Sequence, residues 1–419
     1  MDAVTKILLY GLIILNAVIL IKILIGKQSP FNPISIFSLA VISQMFPQLY
    51  ALLTIDYEID IKILLFMMLA CQLAFLLGYK VPPQWMGKEK FTFDFRPGGI
   101  KLFIIILACL SIIPMFYYDA MKTVYGGINV VLGFFRMFGT ISLVLCCIYL
   151  ENKQIKSKWF LIAFAVISFL PLFYYAYFVK GSRQMMFFLG FVLFYFLSNR
   201  FKKQYVLSIL FVILFGVSSF LSASLTEIRR VNNYHEENAK DLDEIEYVEN
   251  FEESFEKDEI YGWDLGNAAF MIDYITLHSK YDYGASLWNG FIFNYYPQRY
   301  FGEQEKNNWY IGVDEELEYY EDFVKGGITT TTGYYSAYRS FSVFGFILFF
   351  LLGLVMRILK NKSQRSVFFN MVFLLSITYI PTMITHHIQY MLGLWEFVFL
   401  IMLPVFVLFL KFKIINNNG

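Results

Sequence analysis

The chain is 419 residues long, 58% hydrophobic and only 16% charged, with a formal net charge of +1. A soluble domain carries nearer a quarter of its residues as charges, so the bulk of this chain belongs in lipid. The absence of a strongly basic domain argues against nucleic-acid binding. The four cysteines (Cys71, Cys109, Cys146, Cys147) all lie in apolar runs without Cys-x-x-Cys spacing, which argues against a zinc site or a disulfide framework.

A membrane-crossing helix needs about 20 apolar residues, and about eleven such runs (ten to twelve) are predicted. They lie near 5–26, 34–55, 62–80, 101–119, 133–150, 159–178, 184–199, 205–224, 338–359, 367–384 and 393–411. The first lacks a small-residue cleavage site and reads as a retained span rather than a signal peptide. Basic loops follow the third, fifth, seventh and ninth runs, with Lys88 and Lys90, Lys153 and Lys156, Lys202 and Lys203, and Lys360 and Lys362 among their charges. The tail adds Lys411 and Lys413. The positive-inside rule puts this set in the cytoplasm and the acidic or uncharged loops outside. An odd number of spans then places the N-terminus outside and the C-terminus inside.

The expected fold is an all-α polytopic membrane protein. An N-terminal transmembrane bundle spans 1–225, a large external loop with amphipathic helices 226–332, and C-terminal transmembrane helices 333–419. A connection of that length with its own apolar content is more often functional than spacer. It holds two acidic runs, "EENAKDLDEIEYVENFEESFEKDE" and "DEELEYYED", whose plain reading is solvated helix or mobile lid. Between them an aromatic stretch with helical spacing predicts one or two amphipathic helices, on the membrane surface or on the tops of the spans.

Four external arginines draw attention in chain order. Arg136 in "GFFRMFG" opens the fifth predicted span. Arg183 closes "KGSR", a hinge where Lys180, a flexible glycine and a small hydroxyl stand beside it. Arg299 lies in "NYYPQRYF", and Arg339 lies where the chain re-enters the membrane after a Thr/Gly-rich approach. Each has an ordinary reading as a snorkelling or boundary charge. As a set on the side where cations are scarce, they suit a membrane-borne pyrophosphate, which concentrates negative charge at the headgroup level. Trp288, Tyr295, Tyr296 and Tyr300 offer faces on which sugar rings can stack. His387, paired with His386 in the last external loop, is the first candidate general base. Glu396, just inside the last span, is the second, because an intramembrane carboxylate is a functional hypothesis by default. Gln44, Gln48 and Gln72 are read as bridges between helices.

There is no Walker A motif and no His-Glu-x-x-His. "DYEID" at 56–60 is the nearest thing to a carboxylate metal motif, and otherwise no metal and no cofactor are expected.

In this layout the chain resembles the oligosaccharide repeat-unit polymerases of bacterial surface polysaccharides, the Wzy type. The resemblance rests on "KGSRQMMFFLGFVLFYF", "NYYPQRYF" and "GGITTTTGYYSAYRSFSVFGFILFFLLG". Here the second element reads Pro-Gln-Arg rather than Pro-Arg. The third has no acidic residue before the Tyr and Phe-Gly, so no carboxylate role is carried over to that span. The resemblance implies a metal-independent GT-C-like glycosyltransferase in the bacterial cytoplasmic membrane. It would move a glycan from undecaprenyl pyrophosphate onto a lipid-linked repeat unit at the outer face. Arg183 and Arg299 are first expected to hold the pyrophosphate, with Arg339, Arg136 and Lys180 behind them. A chain-length regulator is a possible partner. An O-antigen-ligase-like transferase, a lipid-linked oligosaccharide flippase and a non-enzymatic scaffold remain the alternatives.

Overall fold

The computed structural model describes residues 2–54, 60–82, 91–96, 99–117, 127–151, 158–174, 183–198, 206, 209–213, 264–296, 302–325 and 331–414. Among these the chain is mostly helical. Seven stretches are long and apolar enough to cross a membrane: Ala3–Leu24 (α1), Pro33–Thr54 (α2), Lys62–Lys80 (α3), Gly99–Phe116 (α4), Gly133–Leu150 inside the helix Gly127–Glu151 (α5), Gly333–Ser363, and Val367–Thr385. The apolar helices Trp159–Tyr174 (α6) and Arg183–Ser198 (α7) are shorter. The segment between residues 264 and 325 contributes Asp264–His278 (α8), Ala285–Tyr295 (α9), Glu303–Trp309 (α10) and Glu315–Lys325 (α11). Most of the run predicted near 205–224 and most of "DYEID" lie outside the described residues.

Two predicted spans differ in detail. The one near 338–359 is broken into Gly333–Phe341 (α12) and Phe346–Ser363 (α13), because Ser342 adopts φ 54° and ends α12. Gly345 lets the chain fold back there: a Cβ on it would stand 2.1 Å from the Ala337 carbonyl oxygen. After Val367–Thr385 (α14), the last span runs as Gln389–Glu396 (α15), a π turn at Phe397–Ile401, and Met402–Phe409 (α16).

The mostly helical fold is as expected, with one small addition among the described residues: an antiparallel pair, Phe91–Phe95 (β1) with Leu410–Ile414 (β2), in which Phe93 faces Phe412 and Asp94 faces Lys411. "FTFDF" and "LKFKI" both alternate apolar and polar, the period of a strand with one buried face. Residues 410 and 411, assigned to the last span from sequence, therefore belong to a strand. Asp94 Oδ1 accepts from the Val367 amide at 3.2 Å, and Ser366 Oγ donates to the Phe93 carbonyl, so the ribbon is pinned to the start of α14. The backbone N–H of Arg96 donates to the Phe409 carbonyl at 2.8 Å and its Nε to the Leu410 carbonyl at 3.1 Å.

Helix α14 is the centre of the bundle, with 83% of its apolar window buried. The closest helix pair is α3 with α13. A Cβ on Gly78 would meet the Phe350 carbonyl oxygen at 2.1 Å, and one on Gly353 would meet the Phe75 carbonyl oxygen at 2.2 Å. The backbones touch because both positions lack a side chain, as expected where lipid supplies no hydrophobic drive between helices. Phe37 lies against both Phe75 and Phe349, while Arg357 lies over the Tyr79 ring, so the two helices run parallel.

Gln72 does bridge helices. Its amide exchanges two hydrogen bonds with Asn16, at 2.8 and 3.0 Å, and Ser38 Oγ donates to Asn16 Oδ1 at 2.7 Å, tying α1, α2 and α3 together. Gln48 reaches the segment of residues 264–325, where its Oε1 accepts from the Leu265 amide at the start of α8. That helix buries Leu265, Ala268, Ala269, Ile272 and Ile275 completely, so it sits on the tops of the spans.

Candidate active site

Helix α12 positions the first part of the site. Thr332 caps it, its Oγ1 accepting from the Tyr335 amide, and Gly333 seats it against α14, since a Cβ there would stand 2.0 Å from the Met383 carbonyl oxygen. Arg339, one turn before the break at Ser342, is buried between two carboxylates. Its Nε lies 2.8 Å from Asp282 Oδ2, an ion-pair contact rather than an aligned hydrogen bond, and its guanidinium donates to Glu321 Oε2. The three side chains are 5%, 0% and 7% exposed, so this is an interior charge cluster. Asp282 also accepts from the amides of Gly284 at 2.8 Å and Ser286 at 3.3 Å, which fixes the start of α9. Tyr335 donates to Glu321 at 3.4 Å.

An arginine so matched does not present an open face to an anion. Arg339, expected to hold pyrophosphate, is here engaged by two carboxylates and joins the segment of residues 264–325 to the membrane bundle. The reading of "DEELEYYED" as a solvated helix is corrected at Glu321 and at Leu317, both buried. Sequence reasoning passed over Asp282 and Glu321. The only local signal was the Asp-Tyr-Gly turn, which says nothing of a distant arginine.

One turn before Arg339, Ser336 begins a second group. Its Oγ lies 3.4 Å from His387 Nδ1, and the Gln389 amide donates to that same nitrogen at 3.1 Å. The neutral imidazole then carries its proton on Nε2. Gln389 packs on Gly290 of α9 and donates from Nε2 to Glu396 Oε1 at 3.5 Å. The other oxygen, Glu396 Oε2, is buried without a hydrogen-bond partner among the described residues. The π turn begins at the next residue, and such turns recur at functional sites. Tyr295 donates to the Gly393 carbonyl at 3.0 Å, and its ring stacks on Phe134 with centroids 6.4 Å apart. Phe134 in turn stacks on Phe397, and Arg136, two residues along α5, acts electrostatically on Tyr379 of α14.

The structure thus brings Arg136, Tyr295, His387 and Glu396 to one end of the bundle, next to the Arg339 cluster. Arg136 stands near the opening of the apolar stretch Gly133–Leu150, as expected, within a helix that begins earlier, at Gly127. Trp288 Nε1 donates to the Trp309 carbonyl at 2.8 Å, and Tyr296 lies against Trp309, so both aromatics are engaged within the segment of residues 264–325. Arg183 opens α7 with its side chain outside the described part, and Lys180, Arg299 and Tyr300 lie outside the described residues. No cluster able to hold a metal occurs among the described residues.

On the outer surface of the same segment, Lys280 Nζ pairs with Asp314 Oδ1 at 2.9 Å and with Glu316. The hydrogen bond from Lys280 holds both carboxyls below their usual range. A depressed carboxyl contributes its full stabilisation above the unfolded value and loses it as the pH falls through the folded one. Hydrogen exchange in residues 310–317, corrected for intrinsic rate, should therefore accelerate only below the usual values of 3.8 and 4.5. In Lys280→Ala it should already be fast at neutral pH. An onset above those values in the unaltered protein would show that Lys280 does not hold the pair.

No protein-family model, curated protein or solved structure matches the chain.

Proposed function

We propose that this membrane protein is a metal-independent glycosyltransferase that polymerises undecaprenyl-pyrophosphate-linked oligosaccharide repeat units at the outer face of the bacterial cytoplasmic membrane. About eleven spans, with the external segment facing outward, form part of this reading. The observation that carries it is the buried Oε2 of Glu396, without a partner among the described residues, at the end of the bundle where Arg136, Tyr295 and His387 also gather. A carboxylate oxygen without a donor is costly to bury, and a site that receives a proton explains its retention.

The acceptor hydroxyl attacks the anomeric carbon of the donor glycan and its proton passes to Glu396. The bond to the lipid pyrophosphate breaks, and the electron pair departs with that group. Cations at the headgroup plane stabilise the charge that develops. Arg183 and Arg299 take this role, with Lys180 and Arg136. Glu396 is preferred over His387 as base because Nδ1 of the imidazole already accepts from the Gln389 amide. His387, with its proton on Nε2, acts there as a hydrogen-bond donor.

The test is reconstitution in liposomes with the native lipid-linked repeat unit and no nucleotide sugar. A glycan ladder spaced by one repeat is expected. Arg183→Ala and Glu396→Gln should each abolish it, with normal protein in the membrane. Transfer of the substrate to the opposite leaflet without a ladder would replace this reading with a flippase. A full ladder in both variants would remove these residues from the chemistry.

A further inference from the structure

We infer that the groove between residues 281–285 and 311–317 binds an uncharged pyranose ring of the substrate glycan, an inference that rests on the polymerase reading. The cavity measures about 340 Å³, at the small end of the roughly 300–1,000 Å³ typical of small-molecule sites. Tyr281 and Tyr283 form one wall, and Ile311, Asp314 and Leu317 form the other. Among the described residues no lysine or arginine lines it, and the cations beside its two carboxylates, Arg339 on Asp282 and Lys280 on Asp314, are already engaged by them, so the lining disfavours a phosphate. Aromatic faces beside an acceptor-only carboxylate instead match a sugar, whose C–H faces are apolar and whose hydroxyls donate. The Asp314 side chain is 42% exposed and can receive such a hydroxyl.

Both walls are fixed before a ligand arrives. The near wall is anchored through Asp282, whose carboxylate is held by Arg339 and two amides. The far wall is clamped to α9 by Asn289, which donates to the Ile311 carbonyl at 2.8 Å and accepts from the Ile311 amide at 2.9 Å. Tyr283 stands out from these walls, 78% exposed at φ 51°, followed by Gly284 at φ 88°. A bulky residue at positive φ is a genuine outlier. Here it holds a large aromatic ring out at the mouth of the groove. Of the aromatics expected from sequence to hold sugars, Trp288 and Tyr295 spend their polar groups on backbone carbonyls and Tyr296 packs on Trp309. Tyr283 is on no such duty among the described residues.

Saturation-transfer NMR on the protein in lipid nanodiscs, free of sugar-headed detergent, tests the inference. The probes are methyl glycosides of glucose, galactose, mannose, rhamnose, N-acetylglucosamine and N-acetylgalactosamine. Transfer to at least one is expected, falling at least tenfold in Tyr283→Ala and persisting in Tyr283→Phe. Trp159→Ala, which removes an exposed ring elsewhere, should leave it unchanged. Transfer to none of the probes, or equal transfer in Tyr283→Ala, overturns the inference. Binding needs no turnover, so the two proposals fail separately. Sugar binding without a ladder would sink the polymerase alone, and a ladder without sugar binding would sink only the groove.

Discussion

Arg339→Met is expected to leave little folded protein in the membrane. Removing one partner of a buried charge group typically costs about 3–5 kcal/mol, because the remaining charge stays desolvated. Here two carboxylates remain, with side chains 0% and 7% exposed, on segments that meet the bundle through this arginine. Arg339→Lys should fare little better, since one ammonium cannot reproduce a planar fork that reaches Asp282 and Glu321 together. Adding Asp282→Asn and Glu321→Gln to Arg339→Met should restore much of the loss by removing both unpaired charges. Folded yield and thermal midpoint from fluorescence-detected size exclusion give the answer. Wild-type stability in Arg339→Met would show that the charge cluster is not what joins the segment of residues 264–325 to the bundle. Normal folding with loss of polymer would return Arg339 to the anion-binding role first expected of it.

The second large effect is at the α3–α13 contact. Gly353→Leu and Gly78→Leu should each prevent assembly, because even a Cβ at these positions would overlap a backbone carbonyl, at 2.2 and 2.1 Å. The neighbour is main chain inside a helix, so no rotamer change relieves the clash and the helices must separate. Overfilling a packed interior costs about 1–3 kcal/mol for small insertions, which sets the scale for Gly353→Ala. A leucine should exceed it. The two alanine substitutions share one interface, so their effects should not add. Heating the purified variants and following soluble monomer measures this. Unchanged midpoints in the double alanine variant would mean that the helices do not touch as described. The aromatic contacts of Phe37 with Phe75 and Phe349 depend on the same approach.

Parts of this were legible in the residues. The apolar runs gave helices, since a chain segment without charges has only one favourable solvent and must satisfy its backbone internally there. Gln48 and Gln72 were read as bridges and are bridges. Gly333, which reads from sequence as part of a flexible approach, is instead a place where backbone meets backbone, and so is Gly345, which drew no expectation. The break at Ser342 was not legible, because serine carries no strong signal for positive φ. Nor was the ribbon of β1 and β2: five alternating residues near the end of an apolar run look like more of that run, and the partner lies on the far side of the whole chain.

Sequence by itself determined that this chain is a helical membrane protein, because partition into lipid depends on composition summed over about 20 neighbouring residues. It also named Arg136, Tyr295, His387 and Glu396 one at a time. Only the tertiary structure decided what each charge meets. Arg339 faces carboxylates from two other segments, whereas Glu396 keeps an oxygen with no donor among the described residues. A charge's effect is set by what lies within a few ångströms of it, and in a folded chain those neighbours come from positions that no local pattern connects.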